Sequence, residues 1–186
     1  MKTKLSVTKL VLTAMLAALV CVVTFYRFPL LGSKVHFANA MCLLSGLLMG
    51  PVPGGLAAGL GSALYDGLYG GYDFIQCMLT FVSKFLMAGV CAKIAFSGGR
   101  QAKSHGWNIA ASIIGALTYV ALYMLKTFVY QFFVYGYPME TALLTMGEKL
   151  VASLINAVVA MIAAPILYTA LSRALEHGGL LKKMRS

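Results

Sequence analysis

Two apolar runs, Ala38–Met49 and Gly54–Leu68, joined by Gly50-Pro-Val-Pro-Gly-Gly55, constrain this chain more than any other stretch. The prolines fix φ and cannot continue a helix, and the glycines permit a sharp reversal, so the passage predicts a tight turn over Gly50–Gly55 between two helices. The second arm carries Gly54, Gly55, Ala57, Ala58, Gly59, Gly61, Ser62 and Ala63. Small residues let helix backbones approach closely in lipid, where association rests on packing rather than hydrophobic expulsion. The pattern predicts a close-packed helical hairpin, closed at its far mouth by Asp66, Tyr69, Tyr72 and Asp73.

Hydrophobic residues make up 60% of the 186 and charged residues only 11%, well outside the averages of soluble proteins. This balance predicts a single all-α integral membrane domain over residues 1–186. Apolar stretches at about 7–26, 37–50, 53–69, 74–96, 107–134 and 146–172 predict a six-transmembrane-helix bundle. The second and third are short for lipid-facing spans and are expected to be tilted, partly buried or covered by a loop. The net charge of +10 is distributed by topology. Lys2, Lys4 and Lys9 precede the first span, Lys93, Arg100 and Lys103 follow the fourth, and Arg173, Lys182, Lys183 and Arg185 follow the sixth, whereas Arg27, Lys34 and Lys149 fall on the other side. That bias predicts cytoplasmic N and C termini and argues against a nucleic-acid footprint. Cys21, Cys42, Cys77 and Cys91 lie in apolar runs without CxxC spacing and read as small buried hydrophobes. The basic-then-apolar start resembles a signal peptide, but Phe25-Tyr26-Arg27-Phe28 stands where a small-residue cleavage site belongs, so it reads as a retained helix.

Along the chain, Ala14 and Ala18 share a helix face at four-residue spacing, a shallow groove suited to internal packing or to a partner helix. Arg27–Lys34 (RFPLLGSK) is broken by Pro29 and Gly32 and reads as an outer loop, apolar enough to serve as a lid. His36 and Asn39 lie three apart at the start of span two. Gln76 opens span four, and Lys84 lies roughly 15 Å inside it at 1.5 Å per residue. An ammonium at that depth is costly, so it is expected to face a polar cavity or to pair with Asp66 or Glu148. In span five, Tyr119, Tyr123, Lys126, Thr127 and Tyr130 form an aromatic stripe containing an ammonium. Span six presents Glu148, Ala152 and Asn156 on one face, and Pro165 is expected to kink its cytoplasmic half. The loop Ser97–Gly106 is basic and reads as solvated, with Trp107 as an interfacial anchor.

No catalytic signature accompanies these groups. Gly50 and Gly55 have P-loop spacing, yet Leu56 and Ala57 stand where Lys and Ser/Thr are required, so nucleotide binding there is excluded. Neither HExxH nor GxSxG occurs, and five acids in all make a carboxylate metal site improbable; neither a cofactor nor a metal is expected. What remains is a polar set in an apolar chain: His36, Asn39, Asp66, Asp73, Gln76, Lys84, Tyr123, Lys126, Tyr130, Glu148 and Asn156. Such a set predicts a binding site for a small polar, aromatic molecule. A proton-coupled secondary carrier using Asp66, Lys84 and Glu148 is the alternative, against which stands the lack of an evident internal repeat. A membrane enzyme acting on lipid has only the outer polar cluster in its favour.

Ala14-Met-Leu-Ala-Ala18, Leu44-Ser-Gly-Leu-Leu-Met-Gly-Pro51 with the glycine-rich run to Asp66, and Asn156 with Ala164-Pro165-Ile-Leu-Tyr168 together resemble the S components of energy-coupling factor (ECF) transporters. The likeness is to the branch related to hydroxymethylpyrimidine, pyridoxine, folate and riboflavin binders, and extends over nearly the whole chain. The resemblance implies a high-affinity vitamin-binding subunit in a prokaryotic plasma membrane. It further implies a separate transmembrane coupling protein and two cytoplasmic ATPases as partners. Ala14 and Ala18 would then form the docking face for the coupling protein, and the loop after span one would act as a lid.

Overall fold

A computed structural model describes residues 7–30 and 33–185. Helix α1 (Val7–Phe25) leads into two short strands, β1 (Arg27–Leu30) and β2 (Ser33–His36). Five helices follow: α2 (Ala38–Met49), α3 (Pro51–Tyr65), α4 (Phe74–Phe96), α5 (His105–Val129) and α6 (Met139–His177), with a last turn of helix, α7 (Leu180–Arg185). Two of them end in wider π turns, at Asp66–Gly70 after α3 and at Tyr130–Val134 after α5. The predicted spans and the helices agree closely except at the sixth, which runs from Met139 rather than from about 146. Pro138 and Glu140 start it early: Pro occupies the N-cap, where no amide hydrogen is needed, and the acid lies in the first turn against the helix dipole. Pro165 lies inside α6 without interrupting the helix.

Helix α2 sits at the centre. All twelve of its residues are buried, as befits a helix apolar on every side. Its shortness is thus a consequence of enclosure, since α1, α3, α4 and α6 shield it. The long helices around it are α1, α4, α5 and α6; these four, with the turns after α4 and α5, are long and apolar enough to cross a membrane. Their outer faces carry exposed aliphatics such as Leu10 and Met15 on α1 and Val158, Ile162 and Ile166 on α6.

The α2–α3 turn is tighter than the prediction over Gly50–Gly55. One residue, Gly50 (φ 87°, ψ −177°), breaks the helix, and Pro51 begins α3 at once. Both prolines fit the first helical turn because amides there have no partner to lose. The arms are close: a Cβ on Gly54 would stand 2.5 Å from the Ser45 carbonyl oxygen and 2.6 Å from Gly46 Cα. A Cβ on Gly46 would stand 2.5 Å from the Ala88 carbonyl oxygen on α4. The Ser45 hydroxyl donates to the Cys42 carbonyl at 2.7 Å, with the Gly54 carbonyl 2.9 Å away across the turn.

Arg27–Leu30 and Ser33–His36 form the antiparallel strands of a β-hairpin rather than an irregular loop, pairing Arg27 with His36, Phe28 with Val35, Pro29 with Lys34 and Leu30 with Ser33. Leu31 and Gly32 of the expected lid lie outside the described residues. Pro29 is tolerated because a two-stranded sheet consists of edges only.

Candidate binding site

The hairpin end of the bundle is hollow. A cavity of about 250 Å³ lies between the hairpin, the start of α2, the end of α3, the first half of α4, the end of α5 and the start of α6. Nine of the eleven predicted residues line it: His36, Asn39, Asp66, Gln76, Lys84, Tyr123, Lys126, Tyr130 and Asn156.

Two do not. Asp73 caps α4, its carboxylate accepting from the Gln76 amide at 2.8 Å. Glu148 is exposed, and Lys149 with Ser153 and Asn156 turns inward instead. The face of α6 is therefore rotated by one residue from the expectation, because a bulky ammonium stem gains cover in the cavity while Glu148 keeps its hydration outside. Of the two expectations for Lys84, a polar cavity or an ion pair with Asp66 or Glu148, the structure shows the first. Its ammonium donates to the Asn39 side-chain oxygen and stands 3.5 Å from the centroid of the Tyr119 ring. At 3% exposure for Lys84 and 1% for Asn39, the amide and the ring face provide the polar contact that water would otherwise supply.

Each wall has its own supports. Lys126 approaches the Gln76 carbonyl and the Thr80 hydroxyl at 3.4 Å each, and lies 5.8 Å from the Tyr72 ring centroid. Tyr119 and Tyr123 stack at 5.9 Å with 20° between their planes, one turn apart on α5. Asn156 joins α6 to the hairpin: its amide nitrogen donates to the Lys34 carbonyl and its oxygen accepts from the His36 amide, both at 2.8 Å. An amide side chain thereby continues the ladder of β2. This residue was singled out from sequence as a cavity group, yet both ends of its amide are committed to backbone.

Three buried polar atoms on the cavity wall have no hydrogen-bond partner: His36 Nδ1, Gln131 Oε1 and Ser153 Oγ. Burial, followed by the charges of Lys84 and Arg27, pushes the His36 pKa down to about 3, so its imidazole is neutral at physiological pH. Sequence reasoning did not include Arg27, Lys34, Tyr65, Tyr72, Gln131 or Lys149, which all line the same space. Of these, Lys149 was legible in principle, since 149, 153 and 156 follow helical spacing.

Among the described residues, no group of three or more His, Cys, Asp or Glu side chains is placed to hold a metal. The four cysteines are free; Cys42, Cys77 and Cys91 are buried, and Cys21 is half-buried.

Comparison with known proteins places this geometry. A solved structure described as the S component of a bacterial ECF transporter superposes with a TM-score of 0.66 at 21% identity, covering 90% of this chain and 96% of that one. At that identity the likeness concerns the fold. No curated protein matches the sequence. The family described as ECF-type riboflavin transporter, S component, matches residues 4–173. A helical membrane bundle with a polar chamber at one end is thus accounted for by descent as well as by physics: the chain belongs to the ECF-type riboflavin transporter S component family, the substrate-binding membrane subunits of ECF transporters.

Proposed function

We propose that this chain captures a vitamin or related small aromatic heterocycle from outside the cell and delivers it through an ECF-type importer. The observation that carries this reading is the cavity, a chamber of ammonium, phenol and amide groups at one end of a largely apolar bundle. Riboflavin is the ligand named by the family and heads the panel to be tested. In this reading six helices span the plasma membrane of a prokaryote, both termini are cytoplasmic, and the hairpin end faces out. The ten Lys and Arg residues at 2–9, 93–103 and 173–185 support that orientation.

Substrate enters beneath the hairpin. Lys84 and Lys126 hydrogen-bond or neutralise it, and the phenols of Tyr123 and Tyr130 stack on its ring. Seating the ligand satisfies wall atoms that otherwise lack partners, so affinity arises from a preformed polar site rather than from apolar burial alone. The chain docks through α1, where Thr13, Ala17, Val20 and Thr24 face the bundle and leave Ala14 and Ala18 exposed on the outer side. Two small residues one turn apart on a lipid-facing helix admit a partner helix at close range. The partner is the membrane coupling protein, which brings two ATPases.

Transport of radiolabelled substrate into cells or proteoliposomes separates this reading from a stand-alone carrier. Uptake is expected only when the coupling protein and ATPases are present. The double substitution Ala14→Leu, Ala18→Leu is expected to abolish uptake while leaving substrate affinity unchanged. Uptake by the chain alone, driven by an ion gradient, contradicts the proposal.

A further inference from the structure

The chain has fifteen Lys and Arg residues. Five of them, Arg27, Lys34, Lys84, Lys126 and Lys149, line the cavity, against one carboxylate, Asp66. The other acids of this end do not line it: Asp73 caps α4, and Glu140 and Glu148 are exposed outside the cavity. Four of the five cations stand over phenol rings of the same cavity rather than beside an acid. Arg27 lies 5.2 Å from the Tyr65 ring centroid, Lys34 6.0 Å and Lys126 5.8 Å from that of Tyr72, and Lys84 3.5 Å from that of Tyr119.

A ring face holds an ammonium in place without cancelling its charge. Lys84 is buried, Arg27, Lys126 and Lys149 are half-buried and Lys34 is exposed at the rim, so an anion arriving among them is drawn in most strongly near Lys84, where least water remains to screen it. The volume of about 250 Å³ is just below the ~300–1,000 Å³ usual for drug-sized ligands, which suits one or two rings better than a larger molecule. The orphan atoms of His36, Gln131 and Ser153 can then meet ring heteroatoms, with His36 neutral and not a further cation.

Resting on the reading of this cavity as the substrate site, we propose that the substrate is an anion: a one- or two-ring aromatic heterocycle bearing a carboxylate or phosphate, in place of the uncharged flavin of the family's name. The acid group supplies the charge that the cavity lacks. Carboxylate and phosphate share this chemistry, and matched ligands tell them apart.

The test is calorimetric titration of the full-length chain in detergent with pairs differing in charge: nicotinamide and nicotinate, pyridoxine and pyridoxine 5′-phosphate, riboflavin and riboflavin 5′-phosphate. In the nicotinate or the pyridoxine 5′-phosphate pair the anion is expected to bind roughly tenfold or more tightly than its neutral partner, and a preference confined to three-ring riboflavin 5′-phosphate overturns the ring-size assignment. Lys84→Met or Lys126→Met is expected to weaken the anion severalfold more than its neutral partner and so to narrow that gap, with the unfolding temperature in detergent reading any loss of folding separately. Competition by inorganic phosphate or phosphatidylglycerol at the same strength as the best aromatic anion would show a general anion site and overturn the assignment of an aromatic substrate. Tighter binding of the neutral member in every pair that binds overturns the charge assignment and leaves the S-component reading intact. Absence of binding to all six compounds overturns the proposal, and an empty purified protein alongside it removes the vitamin-binding reading as well.

Discussion

The two ends of this bundle solve opposite problems. Around Gly46 and Gly54 the backbones of α2, α3 and α4 are so close that a single methyl group has nowhere to go. At the hairpin end the same helices diverge enough to leave a chamber, and α3 and α5 finish in π turns that widen the backbone just where the chamber lies. Small residues hold one end shut so that large polar residues can hold the other end open. A carrier needs both, since a cavity in a loosely packed bundle would collapse when empty.

The comparison is broken most severely at its packed end. Gly54→Ala forces a Cβ against the Ser45 carbonyl and is expected to destabilise the fold by about 3 kcal/mol or more, since the atoms it meets are backbone that cannot rotate away. Size-exclusion profiles and thermal unfolding in detergent read this loss directly. Gly67→Ala in the π turn, where the nearest atom is Cys77 Sγ at 3.6 Å, is expected to leave both unchanged. Equal effects at the two glycines would erase the distinction between the ends.

At the open end the expected losses are of function, not fold. Lys126→Ala and Tyr123→Ala each are expected to lower substrate affinity roughly tenfold with unfolding temperature nearly preserved. A loss below about threefold in both would remove these groups from the site. Asn156→Ala deletes both hydrogen bonds to β2 and is expected to cost about 1–3 kcal/mol locally. Faster amide exchange over 33–37, with the α2–α3 contact still protected, is the signature.

The smallest effect concerns pH. The folded pKa of His36, about 3, lies below its ordinary value of 6.5. The neutral imidazole therefore contributes stability that is fully present above about pH 6.5 and is lost as pH falls toward 3. Just below pH 6.5 the unfolding temperature should fall by a few degrees more per pH unit in the wild type than in His36→Gln.

Much of this was legible from residue pattern. Long apolar runs located α1, α4 and α5 to within two residues at their starts, because nothing in lipid competes with a helix for backbone hydrogen bonds. Polar groups stranded in such runs pointed at the chamber for the same reason. The hairpin was not legible, since Phe28-Pro29-Leu30 lacks alternation and its pairing is completed by Asn156, some 120 residues away. The face of α6 was missed because Glu148 and Lys149 are neighbours, and a helix turns by roughly 100° between neighbours. The phenol partners of the cations lay beyond reach too, since Lys84 on α4 meets Tyr119 on α5 only after the helices have packed.

The central claim is that the chamber at the hairpin end holds a specific small molecule. Mass spectrometry of whatever is released on denaturing the purified chain tests it most directly. A stoichiometric aromatic heterocycle, absent from the Lys126→Ala protein prepared in the same way, is the predicted result. Recovery of the same compound in equal amount from both proteins would contradict the account.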